Sequence, residues 1–475
     1  MLVGVVQKNT LAECLALFRQ ADLSRFDLLE LRLDACADLS VEGAAALMAA
    51  SPLPVIFTLR SRAEGGAFRG DEAERLALLE ELIRLQPVGM DVEAHIPAEC
   101  IARLCSLSHG TRLVVSRHDF EKTPSSEAGL LAMLEEMRRK CGGRKMIYKL
   151  ATLARSTPDA LRMLAFCREQ SRRGVHLAGI AMGEYGQSTR ILANWAHGTL
   201  CYCPAEEEST GQAAALGQIQ AGELCDVYNF QRTDKNTRIY GLIGDPVEQS
   251  LGHIYHNAEN RAAGCDAIYV KWRLKPEELE EGMALFRRLG VQGLSVTMPL
   301  KEAVLPYLSS MLDNVGVIGA ANTLRLQPDG WRGANTDGPG AVEALPFSLR
   351  GKTVAVLGAG GAARAFMFEA ERHGAKLLVF NRSAGKGLPG QAVRPLERLP
   401  ELSGVKYDLI VNALPLNLDF PFEEIPFRRG SLAMDLSYNK ASRFLELAGA
   451  GGCETMDGTK MFYVQADIQR AFWGL

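Results

Sequence analysis

The feature that most restricts the fold is a recurrence. Eight short apolar runs, at 2–6, 28–33, 55–59, 88–92, 113–116, 146–150, 177–182 and 200–203, punctuate the first half of the chain, and helical patterns such as 72–85 lie between them. Strands that alternate with helices build a parallel sheet, because each crossover helix must pack back onto a sheet face. Eight such units in roughly 220 residues suit a closed (β/α)8 barrel. An open sheet is the competing arrangement on spacing alone.

After these units comes a polar, aperiodic stretch, NFQRTDKNTR at 229–238, which has the composition of an interdomain connector. A fresh α/β pattern begins at Ile239, and another restart at Lys352 opens with a strand that runs straight into glycines. Three lobes are therefore expected, as a chain of 475 residues exceeds what one core serves.

With 47% apolar and 23% charged residues, the chain should fold throughout. A net charge of -3 without any basic run argues against nucleic acid and for small-molecule partners, and it leaves a homo-oligomer open. No apolar stretch approaches the ~20 residues that span a bilayer. The eleven cysteines include no C-x-x-C pair, and the N-terminus lacks a signal segment, which reads as a reduced, cytoplasmic protein. Cys201 and Cys203 share one strand face and read as small core residues; no metal is expected.

Polar residues in the first half fall inside the inferred strands or at their C-terminal ends: Glu30, Arg32, Asp34, Arg60, Asp91, Glu93, His118, Lys149 and Arg190. Barrel active sites are assembled at that rim from several strands. Any one of these charges could belong to a structural ion pair; the collection points to a site. Lys149, in the apolar run MIYKLA, is poised to lose its proton by desolvation and by proximity to other cations. A neutral amine attacks a ketone, and the imine allows a modest base such as His118 to remove a proton from the neighbouring carbon, so that a β-hydroxyl can be eliminated. Glu93, on an adjacent strand, is the expected partner of His118.

Taken in order, ELRLD, TLRS followed by EGG, DVE, SRHDF and YKLAT resemble the type I 3-dehydroquinate dehydratases over about 1–225. The resemblance implies Lys149 as the Schiff-base former, His118 as general base and then acid, and Glu93 as the group that orients the histidine. It further implies Arg190 on the substrate carboxylate, Glu30, Arg32 and Arg60 on the hydroxyls and ketone side, and Gln212 in a closing loop. Where the family has S-A-P-G-Q, this chain reads Glu208, Ser209, Thr210, Gly211, Gln212, so the leading serine is replaced.

In the second half, VAVLGAGGAARA (354–365) is a strand, a glycine turn and a helix start. That context fits a dinucleotide fingerprint at Gly358, Ala359, Gly360, Gly361 and Ala362, where backbone N–H groups approach a pyrophosphate. The next strand, LLVF, ends in Asn381, Arg382 and Ser383 rather than in an acid; with Lys386 nearby, this suits the 2′-phosphate of NADP.

GDPVEQSLGHIYHN, GLSVTMPLKE, IGAANT, GANTDGPG and DGTKMFYVQA together resemble shikimate dehydrogenase over about 238–475. The paired resemblances imply an α/β chain. A TIM barrel at 1–228 precedes a substrate-binding lobe at 238–347, completed by 440–475, and an NADP-binding Rossmann lobe at 351–438. They imply Lys301 and Asp337 as the catalytic pair beside a ketone. Asn322 and Asn335 would bond ring hydroxyls, Ser250, Ser295 and Thr297 would hold carboxylate or hydroxyl, Gln465 would close over the ring, and Tyr438 would contact the same side. Gly252, His253, Leu414 and Lys440 depart from the family pattern, each at a cost of roughly 0.5 to 1.5 kcal/mol where one neutral hydrogen bond is lost. The implied activity is dehydration of 3-dehydroquinate to 3-dehydroshikimate and its NADPH-dependent reduction to shikimate, consecutive steps of the shikimate pathway toward aromatic amino acids. Competing readings are a ligand-sensing protein with decayed chemistry and a dehydrogenase that prefers quinate and NAD.

Overall fold

The structure is a computed structural model that describes residues 1–206, 217–383, 387–414, 418, 420–439 and 441–475. Every one of the eight apolar runs forms a strand: β1 Leu2–Val6, β2 Leu28–Arg32, β3 Val55–Thr58, β4 Gly89–Glu93, β5 Arg112–Asp119, β6 Ile147–Leu153, β7 His176–Met182 and β8 Cys201–Pro204. Their order is β7-β6-β5-β4-β3-β2-β1-β8. Pairing is parallel from β1 to β7 and from β1 to β8. Between β7 and β8, Thr199 N donates to Leu177 O at 3.0 Å, so the sheet is a nearly closed barrel.

The sequence alternation decides what enters the barrel. Leu28, Ile56, Val114 and Ile147 belong to one buried apolar cluster with Val3, Val5, Ala178 and Tyr202. Strand side chains alternate faces, so residues two further on point to the same interior. These are Glu30, Thr58, Ser116 and Lys149, a polar layer above an apolar floor.

The chain divides into two compact units, one of Met1–Ile239, His253–Leu274 and Glu280–Leu289, the other of Tyr240–Gly252, Lys275–Leu279 and Gly290–Leu475. Beyond the barrel lie two six-stranded sheets. The first runs Ala267–Arg273, Arg238–Gly244, Gly293–Val296, Thr323–Gln327, Gly330–Ala334, Leu308–Met311 and is mixed. The second runs Val393–Arg394, Lys376–Phe380, Thr353–Leu357, Leu409–Asn412, Leu432–Asp435, Glu454–Met456 and is parallel throughout. Strand Thr353–Leu357 buries both faces: Val354 and Val356 pack into one cluster, Ala355 and Leu357 into another. That two-sided burial is why this segment reads as a continuous apolar run. The last helix, Thr459–Trp473, lies so close to helix Asp337–Ala344 that a Cβ on Gly340 would fall 2.6 Å from Gln465 Cβ. Among the described residues, no helix is long and apolar enough to cross a membrane.

Candidate active sites

Lys149 is 4% exposed. Its Nζ donates to Asp91 Oδ2 at 3.0 Å and to Glu30 Oε1 at 3.2 Å, and it stands 4.0 Å over the ring of Tyr202. The groups within hydrogen-bonding distance are carboxylates, and the neighbouring cation is Arg60, whose NH2 lies 3.8 Å from the same Asp91 oxygen that Lys149 touches. Burial pushes the carboxyls of Glu30 and Asp91 up, but Lys149 and then Arg60 outweigh it, so both are held below the ordinary carboxylate range. Thr58 and Ser116 hydroxyls donate to Glu30 and Asp91 at 2.8 and 2.6 Å.

His118 lies on β5, next to the strand of Lys149, with its side chain 3% exposed. Its Nδ1 is 2.6 Å from Glu64 Oε2. Burial holds the imidazole down to about 4, helped by Arg60 and opposed by Glu64. A neutral imidazole must therefore donate Nδ1–H to the carboxylate, which leaves Nε2 as a free base.

Glu93 is not that partner. The β4–β5 register sets Glu93 beside Ser116, two residues short of His118. Its carboxylate instead takes Arg75 NH1 at 2.7 Å, Ser61 N at 3.0 Å and Ser61 Oγ at 3.0 Å. Glu64 is delivered by the turn Arg62–Glu64 after β3, and the sequence signal for it was the EGG triplet itself. A Cβ on Gly66 would fall 2.1 Å from Arg60 O, so the loop closes this tightly only with glycine there. Arg75, buried in helix Glu72–Ile83, carries no comparable signal.

Arg32 is clamped by Asp34 through two bonds, of 2.9 and 2.8 Å. Arg60 NH2 lies 3.8 Å from Asp91, and its Nε and NH2 have no hydrogen-bond partner among the described residues. Arg190 sits on the short helix Gln187–Ile191 after β7, not on the strand itself. It is 4% exposed, its NH1 makes one long bond of 3.4 Å to Ala181 O, and its Nε is unpartnered among the described residues. Together with Tyr202 it lines a small cavity. A buried guanidinium without a carboxylate is costly unless an anion arrives. Gln212, Glu208 and Ser209 lie outside the described residues.

In the second half, Lys301 follows strand Gly293–Val296 on the short helix Leu300–Ala303, and its Nζ donates to Asp337 Oδ2 at 2.6 Å. Asn322 Nδ2 donates to the other oxygen of Asp337 at 2.8 Å and to Thr336 Oγ1 at 3.0 Å. Thr336 Oγ1 reaches Gln465 Oε1 at 3.3 Å, which ties the last helix to the pair. Tyr438 is hydrogen-bonded to the Ser250 side chain, and Thr297 is half-buried on the loop between strand Gly293–Val296 and Lys301. Two expected substrate ligands are otherwise engaged. Asn335, 2% exposed, donates to Ala320 O and accepts from Asp337 N, so it positions Asp337 rather than facing a ring. Ser295 Oγ donates to Gln469 Oε1 at 2.9 Å and is buried.

The glycine turn fits a nucleotide. Gly358 has φ +102, and a Cβ there would fall 2.9 Å from Ala413 O. A Cβ on Gly360 would meet nothing within 4 Å, and helix Gly361–Arg372 has no side-chain cap on its first-turn N–H groups. These are donors over open space, as a pyrophosphate requires. A Cβ on Gly361 would lie 3.8 Å from Lys301 Cδ, so the turn and the lysine face one another. Arg382 is exposed just past strand Lys376–Phe380, while Asn381 Nδ2 donates to Ser383 O at 3.0 Å. Lys386 and Lys440 lie outside the described residues.

The type I 3-dehydroquinase family matches residues 3–235, and the shikimate dehydrogenase substrate binding domain matches 242–324. Over 94% of its length, the chain is 31% identical to the chloroplastic bifunctional 3-dehydroquinate dehydratase/shikimate dehydrogenase of Arabidopsis thaliana, covering 78% of that protein. It is 29% identical to the shikimate biosynthesis protein AroDE of Chlamydia pneumoniae, over 94% of this chain and 90% of that one. Over 50% of this chain, it is 35% identical to the shikimate dehydrogenase (NADP(+)) of Thermococcus kodakarensis, covering 92% of that protein. With a lysine inside a parallel barrel, a lysine–aspartate pair beside a glycine turn, and a match that runs through both halves, the chain belongs to the bifunctional 3-dehydroquinate dehydratase/shikimate dehydrogenase family.

Proposed function

We propose that the first half dehydrates 3-dehydroquinate to 3-dehydroshikimate through a Schiff base on Lys149, and that the second half reduces this product to shikimate with NADPH. The observation that carries the assignment is Lys149, buried inside the barrel, with His118 on the neighbouring strand and Glu64 behind that histidine. Lys149, relieved of a proton, attacks the ketone carbon, and the carbonyl oxygen leaves as water. The resulting iminium acidifies the adjacent carbon, and His118 removes its proton through Nε2. The electron pair, stored as an enamine, returns to expel the β-hydroxyl, which leaves as water with the proton carried by His118. Hydrolysis of the iminium then releases the product and restores Lys149. Arg190 takes the substrate carboxylate, and Glu30, Arg32 and Arg60 hold the hydroxyls and ketone side.

In the second half the proposed nucleotide cradle is Gly358 to Ala362, with the 2′-phosphate near Arg382. NADPH, when bound, supplies a hydride to the ketone carbon. Lys301, held by Asp337, gives a proton to the oxygen on which charge develops. Asn322, Gln465, Ser250, Thr297 and Tyr438 are assigned to the substrate's hydroxyls and carboxylate. The domains are assigned as 1–228, 238–347 completed by 440–475, and 351–438; the family matches at 3–235 and 242–324 support a barrel followed by a separate substrate-binding lobe. The cysteines of the structure are all free, which fits a reducing compartment such as the cytoplasm.

Borohydride added with 3-dehydroquinate should trap a covalent adduct on Lys149, read by peptide mass. Its absence, in protein that turns over no dehydroquinate, refutes the dehydratase assignment. Dehydroquinate plus NADPH should then consume NADPH only when both halves are intact.

A further inference from the structure

His95 stands just beyond β4, after Ala94, whose N–H donates to Ser116 O at 2.7 Å and so fixes this turn against β5. Its Nδ1 lies 3.3 Å from Glu64 Oε1, and its Nε2 lies 3.5 Å from Glu72 Oε1. The other oxygen of Glu64 is the one bonded to His118, so one carboxylate is shared by two imidazoles, one on each oxygen. Exposure rises along the series, from 3% for the His118 side chain to 10% for Glu64 and 39% for His95. The base is buried, and its support ends in a group that solvent reaches.

We infer that His95 is a positioning residue for the dehydratase: it holds the outer oxygen of Glu64, and its protonation state sets how strongly Glu64 supports His118 as the base. The inference rests on the assignment of His118 as that base. The physical basis is competition for one charge. A neutral His95 fixes the carboxylate plane with Oε2 aimed at His118 Nδ1, leaving the full negative charge to stabilise the imidazolium that forms when His118 takes a proton. A protonated His95 draws on that charge and adds a cation near the forming imidazolium, which lowers the basicity of His118.

The groups that face His95 are few. Glu64 comes from the turn after β3, Glu72 and Arg75 from the helix that follows, and Glu93 from its own strand. The hydrogen bond to Glu64 is the largest influence and raises the imidazole above its ordinary value; burial and Arg75 oppose it, and Glu93 assists. His118 itself is held at about 4, so between pH 5 and 9 the titrating neighbour of the dyad is His95. The wild-type kcat should therefore rise as pH passes upward through the titration of His95, above pH ~6.5.

The test compares full-length wild type, His95→Ala and His95→Gln in dehydroquinate turnover across pH, with shikimate oxidation by the same chains as an internal measure of folding. His95→Ala should lose about 2- to 12-fold in kcat with KM little changed, the equivalent of one hydrogen bond. His95→Gln keeps a neutral donor, so it should recover most of that kcat and show a profile lacking the inflection above pH ~6.5. Unchanged kcat and an unchanged inflection in both variants would overturn the inference. So would a loss that glutamine fails to restore and that falls equally on KM, since that pattern marks general disruption of the site. If wild type turns over no dehydroquinate and traps no adduct, the dehydratase assignment itself has failed, which is a distinct result.

Discussion

Exchanging Glu64 and Glu93 for glutamine, one at a time, should separate orientation of the base from stability of the barrel. Glu64→Gln keeps an oxygen that can accept from His118 Nδ1, at present 2.6 Å away, but removes the charge. The smallest expected loss is the difference a charged acceptor makes, about 2 kcal/mol. The largest is the Coulomb support for a forming imidazolium, about 4 kcal/mol at roughly 4 Å with an effective dielectric of about 20. These bounds correspond to a fall in kcat of roughly 30- to 1000-fold, with KM changing little. Glu93→Gln instead strips a buried anion from Arg75; both side chains are only 2% exposed. Breaking a buried pair from one side costs about 3 kcal/mol, the lower end of the range because Glu72 still faces Arg75 at 2.6 Å. The folded fraction of that variant should retain kcat. Turnover can be followed by absorbance of the conjugated product and stability by urea midpoint, with the dehydrogenase activity of the same chain as reference. A Glu93→Gln protein that loses the larger factor in kcat at unchanged midpoint, beside a neutral Glu64→Gln, would refute the register argument that assigns Glu64 to His118.

Arg190→Met should raise KM for dehydroquinate roughly 100-fold, about 3 kcal/mol for bonds to a charged carboxylate, without lowering the melting temperature, because an unpaired buried cation is removed; a normal KM would place the substrate carboxylate elsewhere. Lys301→Ala should lower kcat for dehydroshikimate reduction at least about 100-fold while dehydroquinate turnover stays at wild-type rate, consistent with loss of one electrostatic donor; undiminished reduction would refute its role. Burial pushes the Glu64 carboxyl up, but bonds from His118 and His95 outweigh it and bring it to about 2. A carboxyl depressed on folding contributes stability above its ordinary value and loses it as pH falls, here between about 4.5 and 2. Acid titration of stability should therefore show a step in wild type that Glu64→Gln lacks.

Much of this was legible because the physics was local. Eight apolar runs became eight strands because a strand buried on both faces has few sequences available to it. Lys149 was conspicuous for the opposite reason, a charge in such a run. Glu64 lies within the EGG motif, but a loop residue carries no periodicity to say where its carboxylate points. Strand adjacency suggested Glu93 instead, and only the stagger of β4 on β5 shows that it stops beside Ser116. Asn335 failed similarly: an asparagine in a glycine-rich motif can bond a ligand or its own backbone, and here Ala320 O and Asp337 N take both ends. Arg75 and His95 had no signal at all, since one is an ordinary-looking helix residue and the other an ordinary-looking turn.

The charges around Lys149 also explain why a burial this deep can serve chemistry. Glu30 and Asp91 both touch Nζ in the resting protein, so the ammonium is matched before any ligand arrives. Conversion of that amine to an iminium keeps one positive charge in nearly the same place, beside the same two carboxylates, so the site does not have to reorganise when the covalent bond forms. In the proposed mechanism, formation of the enamine takes positive charge from Lys149 and puts it on His118, where Glu64 lies at 2.6 Å. Each step thus moves a cation from one prepared anion to another. Arg190 has no carboxylate beside it among the described residues, and in the proposed mechanism the substrate's carboxylate balances it.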